Sequence, residues 1–304
     1  MGCLNSKTLN RKSLLKLVEK SNAVKMIYDE HQKMMEKEVS GTLSGPASTG
    51  KILNSLHEKE EEEEEEEEVC FEHNRVILYD ETGLCIPTSA SYIDGYKDPK
   101  AYITAKTPYS ESTTYNFWRT VWQHQSEIVV MLDQPQHSQY GSYFWIVDRE
   151  LSLQFGKLSI KRFKFQQNLS SFKIMRVEVT HEDGGTLHVN FFLFKNWQRL
   201  DVALSESDIL ELIFTTRIYN EKAVTPMSVK GYKSPIIIQC RDGTQKTMMF
   251  CAIDISISSI LKKGKVNLYS IVSKLRNNKY NCLYDPNDYG MCYLVLYYYF
   301  MFYM

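Results

Sequence analysis

The chain reads as an α/β protein, and three observations carry that reading. Ser234 to Thr247 runs as an apolar β-branched strand, a cysteine, a short polar loop with one glycine, and a threonine that opens a helix. Ile128 to Leu132 is a second continuous apolar run, whose length and β-branching fit a buried strand. Just before it, Phe117, Val121 and Trp122 share one face at helical spacing. Length alone suggests about two domains for 304 residues, although single α/β domains of about 250 are common.

From the start, Met1-Gly2-Cys3-Leu4-Asn5-Ser6 fits the N-myristoylation pattern, and Cys3 is placed to take a palmitoyl chain. One acyl chain binds membrane only marginally, so a second chain or a basic patch is needed. Residues 1–20 also carry a net side-chain charge of +4. From Ser13 to about Lys37, apolar residues recur at helical spacing and predict one or two amphipathic helices. Residues 40–57 have loop composition, with Gly41, Gly45, Pro46 and Gly50 among serines and threonines. Glu58-Lys59-Glu60, unbroken glutamate to Glu68, predicts a disordered, solvated linker, because so many like charges repel. The expected organisation is an anchor and helices over 1–38, a loop and acidic linker over 39–69, and one domain over 70–304.

Within that domain, Asp94-Gly95 is a tight-turn pair. Phe155 to Ile160, Phe172 to Val179 and Thr186 to Phe194 read as strands, with His181 to Gly185 as a hairpin turn between the last two. Met291 to Met304 is apolar and tyrosine-rich but too short to cross a bilayer, which takes about 20 residues, so it predicts a final helix packed on the core. A net charge of −1 and the lack of a reading motif argue against nucleic-acid binding. Seven cysteines at irregular spacing form neither a disulfide framework nor a paired metal site. With no secretory signal, the compartment expected is reducing and intracellular.

A cysteine at a strand-to-helix turn sits over backbone N–H groups and a helix N-terminus, a setting that binds anions and lowers a thiol pKa. Gln239 to Thr247 resembles the signature loop HCxxGxxR-[ST] of the protein tyrosine phosphatases. Other segments resemble the same family in the same order. They are His73-Asn74-Arg75 for its KNR, Ala90 to Pro108 for NAxYIDGY…KAYIATQGP, and Phe117 to Trp122 for FWRMVW. With the Gly2-Cys3 start, the chain looks most like the tyrosine phosphatase-like proteins of bracoviruses. The resemblance covers about residues 70–300. It implies a single domain with a twisted, mixed central sheet flanked by helices, and no cofactor or metal.

It also implies roles, and the chain departs from them. Cys240, Gly243 and Thr247 match the family's nucleophile, middle glycine and hydroxyl, while Gln239 replaces the histidine. Arg241 and Thr244 complete the loop, with Arg241 expected to face outward. Asp242 puts a carboxylate in a site built for a dianion, and pointing inward it would raise the thiol pKa and repel phosphate. Gln245 stands for the second glycine and crowds the backbone's approach to phosphate. Lys246 stands for the arginine and loses its planar fork, which costs about 1.5–3 kcal/mol per charge-assisted bond. In the acid loop Trp197 matches, but Arg199 occupies the aspartate position and cannot donate a proton near neutral pH. Asp201 could replace it only after a shift in register. Tyr284 and Asp288 fall on the two glutamines, and Val76 on the tyrosine at the pocket rim.

Three readings remain open at this point. The first is a catalytically impaired homologue, anchored beneath a membrane, that binds signalling partners or phosphotyrosine proteins in a host cell. The second is a weak or specialised phosphatase using Cys240. The third is a scaffold whose function lies in the N-terminus and acidic linker.

Overall fold

The computed structural model describes residues 7–39, 70–80, 82–133, 152–195, 205–223 and 233–304. In chain order the elements are β1 Leu9–Asn10, α1 Arg11–Val18, α2 Ala23–Val39, β2 Arg75–Tyr79, β3 Cys85–Ile93, β4 Tyr102–Lys106, α3 Glu111–Gln123 and β5 Ile128–Met131. There follow β6 Ser152–Phe155, β7 Leu158–Asn168, β8 Phe172–His181, β9 Thr186–Phe194 and α4 Glu206–Lys222. The last are β10 Ile236–Cys240, α5 Gln245–Lys263, β11 Lys265–Val266, α6 Leu268–Arg276 and α7 Pro286–Phe302. The α/β expectation holds.

Nine strands form one mixed sheet in the order β2-β3-β4-β10-β5-β9-β8-β7-β6. β10 lies in its interior, next to the middle strand, and is parallel to both β4 and β5. Antiparallel hairpins extend the sheet on either side. A parallel strand buried on both faces reads as a nearly continuous apolar run, and every residue of Ile236–Cys240 is buried, with Gln239 the one polar member. Its alternation sets the sulfur's direction. Ile236, Ile238 and Cys240 enter the core formed with α4, α5, α6 and α7, whereas Ile237 enters a second core with Phe117, Trp118 and Val121 of α3. Cys240 thus ends a central strand on the side covered by α5.

Of the one or two amphipathic helices expected near the N-terminus, two form, and both join the main core through Leu14, Leu17, Ile27 and Met34. α2 is fixed to α7 by polar contacts as well. Glu30 is buried and accepts from the Tyr289 hydroxyl at 2.8 Å and the Tyr293 hydroxyl at 2.6 Å. His31 Nε2 meets the Leu283 carbonyl at 2.9 Å. Burial raises the Glu30 pKa against those two bonds and lowers that of His31.

Two local expectations need correction. Phe155 to Ile160 is not one strand but a hairpin turning at Gly156, whose φ is +54° and whose added Cβ would collide with Tyr115. Asp94-Gly95 does not close a two-residue turn. It begins a longer loop from β3 to β4, in which Asp94 accepts from the Lys100 N–H at 2.8 Å and Gly95 packs on Ala101. The His181–Gly185 turn and the C-terminal helix fall where predicted, the turn using Gly184 and Gly185 at positive φ. No helix among the described residues is long and apolar enough to cross a membrane.

Candidate functional site around Cys240

The open end of a parallel sheet, at the carboxyl ends of its strands, is where α/β proteins place ligands. Cys240 stands there, followed by a loop that turns through Gly243 at φ +68° and enters α5 at Gln245. Positive φ at this point is open to glycine and strained for other residues. The Thr247 hydroxyl donates to the Gly243 carbonyl at 2.9 Å and to that of Thr244 at 3.1 Å, so it braces the loop itself.

Two carboxylates occupy the donors of this loop. Asp242 Oδ1 accepts from the Cys240 thiol at 2.9 Å, the Thr244 N–H at 2.8 Å and the Gln245 N–H at 3.1 Å. Asp133, buried just beyond β5, accepts the Arg241 N–H at 2.6 Å on Oδ2 and pairs through Oδ1 with the Lys246 ammonium. Such N–H groups and a cation at a helix start make an anion cradle. Here the protein's own carboxylates fill it.

The sulfur responds accordingly. Cys240 is fully buried, and burial is the largest cause pushing its pKa well above the ordinary thiol value. The charge and hydrogen bond of Asp242 add to the rise, as does the charge of Asp133, while the Thr247 backbone opposes it. A thiol, rather than the nucleophilic thiolate, is therefore the resident form at neutral pH. Asp242, like Arg241, is exposed, but its Oδ1 is turned toward the sulfur, which is the condition the sequence reading set for a raised thiol pKa.

The segment before α7 closes the site. Gln245 bridges to it, donating from Nε2 to the Asn281 carbonyl at 3.1 Å and accepting the Tyr284 N–H at 3.2 Å. Tyr284 itself is exposed. Asp288 sits among acids, its pKa raised to about 6 by burial first, then by Asp285 and Asp242, with Lys246 opposing. The two residues on the glutamine positions are thus near the cysteine loop, and neither is an amide.

Val76 is a correction. It is wholly buried in the second core cluster and presents nothing at a pocket rim. A β-branched aliphatic on a half-buried strand goes inward because no hydroxyl draws it to water. Gln239, on the histidine position, is also fully buried, and both its amide atoms lack a hydrogen-bond partner among the described residues. Such an orphan costs about 1–3 kcal/mol. Trp197, Arg199 and Asp201, like Gly2 and Cys3, lie outside the described residues. Asp133 was missed from sequence. The only trace was a carboxylate directly after an apolar strand, which reads as an ordinary strand end until β10 is seen beside β5.

Comparison with known proteins agrees with this architecture. The protein-tyrosine phosphatase family model matches residues 59–298. Tyrosine phosphatase H2 of Microplitis demolitor bracovirus is 27% identical over 296 residues, covering 95% of this chain and 88% of the relative. Tyrosine phosphatase-like protein J1 of the same virus is 26% identical, with 97% of each chain covered. Rat tyrosine-protein phosphatase non-receptor type 9 is 25% identical over 88% of this chain, which spans 45% of that protein. With a matching model over most of its length, and a cysteine, glycine and threonine at the signature positions of a strand–loop–helix turn, the chain belongs to the protein-tyrosine phosphatase family.

Proposed function

We propose that this chain is a catalytically impaired member of its family that works by binding protein partners, held at an inner membrane surface by acylation of Gly2 and Cys3. One observation carries the reading: the donors that would grip a phosphoryl group are satisfied by Asp242 and Asp133, and Cys240 is a buried thiol bonded to one of them. A phosphate dianion entering this loop would meet two carboxylates and displace their bonds, each charge-assisted and worth about 1.5–3 kcal/mol. Arg199 on the acid position adds to the impairment, since a general acid contributes about 10²–10⁴-fold. The named relatives are bracovirus proteins, and on this reading the chain acts in a host cell. The filled cradle favours a partner surface that does not depend on phosphotyrosine.

The decisive assay is hydrolysis of para-nitrophenyl phosphate by the full chain and by Cys240→Ser. Equal rates are expected, and a rate well above the serine control overturns the reading. A weak phosphatase is the second reading, and Asp288 favours it. Its carboxyl, with a pKa raised to about 6, is a proton donor close to the loop. Under that reading Asp288→Asn lowers the Cys240-dependent rate, by about 10²-fold or more.

A further inference from the structure

Away from the cysteine loop, two acid-free stretches of sequence meet at one end of the molecule. Residues 7–18 contain Lys7, Arg11, Lys12 and Lys16 and no acid, and residues 255–284 contain no Asp or Glu at all. They are joined by the two-stranded sheet of β1 and β11, in which Leu9 faces Val266 and Asn10 faces Lys265. Leu9 and Val266 are both buried. Because the pleat alternates, Asn10 and Lys265 are turned together to the outside. α1 starts at once with Arg11 and Lys12, and α5 ends just before with Lys262 and Lys263, capped by Gly264 at φ +65°. All of Lys7, Arg11, Lys12, Lys262, Lys263 and Lys265 are exposed.

Helix electrostatics accounts for only half of this cluster. Lys262 and Lys263 close a helix, where the dipole favours cations. Arg11 and Lys12 open one, where it disfavours them, and the first turn of α1 holds no acid. Cations placed against the dipole and beside three more raise the energy of the folded chain. Of the described neighbours, the loop around Tyr96 adds no net negative charge, since it sets Lys97 and Lys100 against Asp94 and Asp98. Lys263 lies over the Tyr96 ring at 5.6 Å, which fixes that loop at the same end.

We propose that this corner is a docking platform for an anionic lipid surface. It extends the membrane reading above but rests on the folded domain rather than on acylation. The platform is discontinuous in sequence and assembled by the β1–β11 pairing. It would orient the domain with the end of α5 and the start of α1 toward the headgroups. A bilayer suits it better than a single acidic peptide, because the charges spread over two helix ends and a short sheet.

Vesicle co-sedimentation of the full chain carrying Gly2→Ala and Cys3→Ser removes both acyl chains and tests the platform alone. Binding to phosphatidylcholine–phosphatidylserine vesicles, absent with phosphatidylcholine alone and weakened by salt, is the expected result. Lys262→Glu with Lys263→Glu should weaken it at least about tenfold, with the melting temperature retained. Lys161→Glu with Lys173→Glu, on the far antiparallel part of the sheet, should leave it unchanged. Equal binding to both vesicle types, insensitivity to the Lys262 and Lys263 reversals, tighter binding to a short RNA, or binding only after deletion of residues 58–68 would each overturn the proposal. None of these outcomes bears on phosphate hydrolysis, so the platform and the impaired site stand or fall separately.

Discussion

Asp242 adds to burial in setting the state of the Cys240 thiol. A lysine in that position keeps a positive charge, and by itself would still favour a thiolate. Instead, Lys246 is bound to Asp133, and the Asp242 carboxylate faces the sulfur. Removing the carboxylate removes the second and third causes of the raised thiol pKa and leaves burial, the largest, and the charge of Asp133. Asp242→Ala is therefore expected to speed iodoacetamide alkylation of Cys240 near neutral pH by about tenfold. Peptide mass spectrometry separates it from the exposed Cys85. An unchanged rate would mean that burial alone silences the thiol.

At the scale of elements, α7 links the site to the N-terminal helices. Asp288 lies in its first turn near the cysteine loop, and Tyr289 and Tyr293 hold Glu30 on α2. Asp288 has a folded pKa raised above its unfolded value, so the folded chain binds the extra proton. Its favourable contribution is full below the unfolded pKa of 3.8 and lost as pH rises through about 6. Asp288→Asn removes the ionised carboxyl, and its gain in melting temperature should be larger above about pH 7 than near about pH 4. A gain independent of pH would place the charge in solvent instead.

Across the whole molecule, the helices of residues 11–39 behave as part of the domain. They bury Leu14, Leu17, Ile27 and Met34 in the same core as β10 and α7. Deletion of residues 1–39 exposes that core and is expected to lower the melting temperature by on the order of 10 °C or to prevent soluble folding. A truncated chain that melts like the intact one would show the helices to be an accessory. For the same reason, partner-capture experiments on the anchor and linker are cleaner with Gly2 and Cys3 substituted and residues 58–68 removed. Cutting away the first 69 residues would confound a lost anchor with a damaged fold.

Much of this was legible in one dimension. Continuous apolar runs located β5 and β10, period-two runs located β8 and β9, and the spacing of Cys240, Gly243 and Thr247 placed the strand–loop–helix turn. Each of these is a local pattern set by the backbone period and by which face meets water. The pairing of Asp133 with Lys246, the inward burial of Val76, and the facing of Asn10 and Lys265 depend on strand order and register. Those join residues more than 70 positions apart or turn a side chain by one step of the pleat. The sequence by itself thus determined the family of shapes and the identity of the altered groups. Only the tertiary structure decided that carboxylates occupy the anion cradle, because charge pairing across a sheet is a property of neighbours in space.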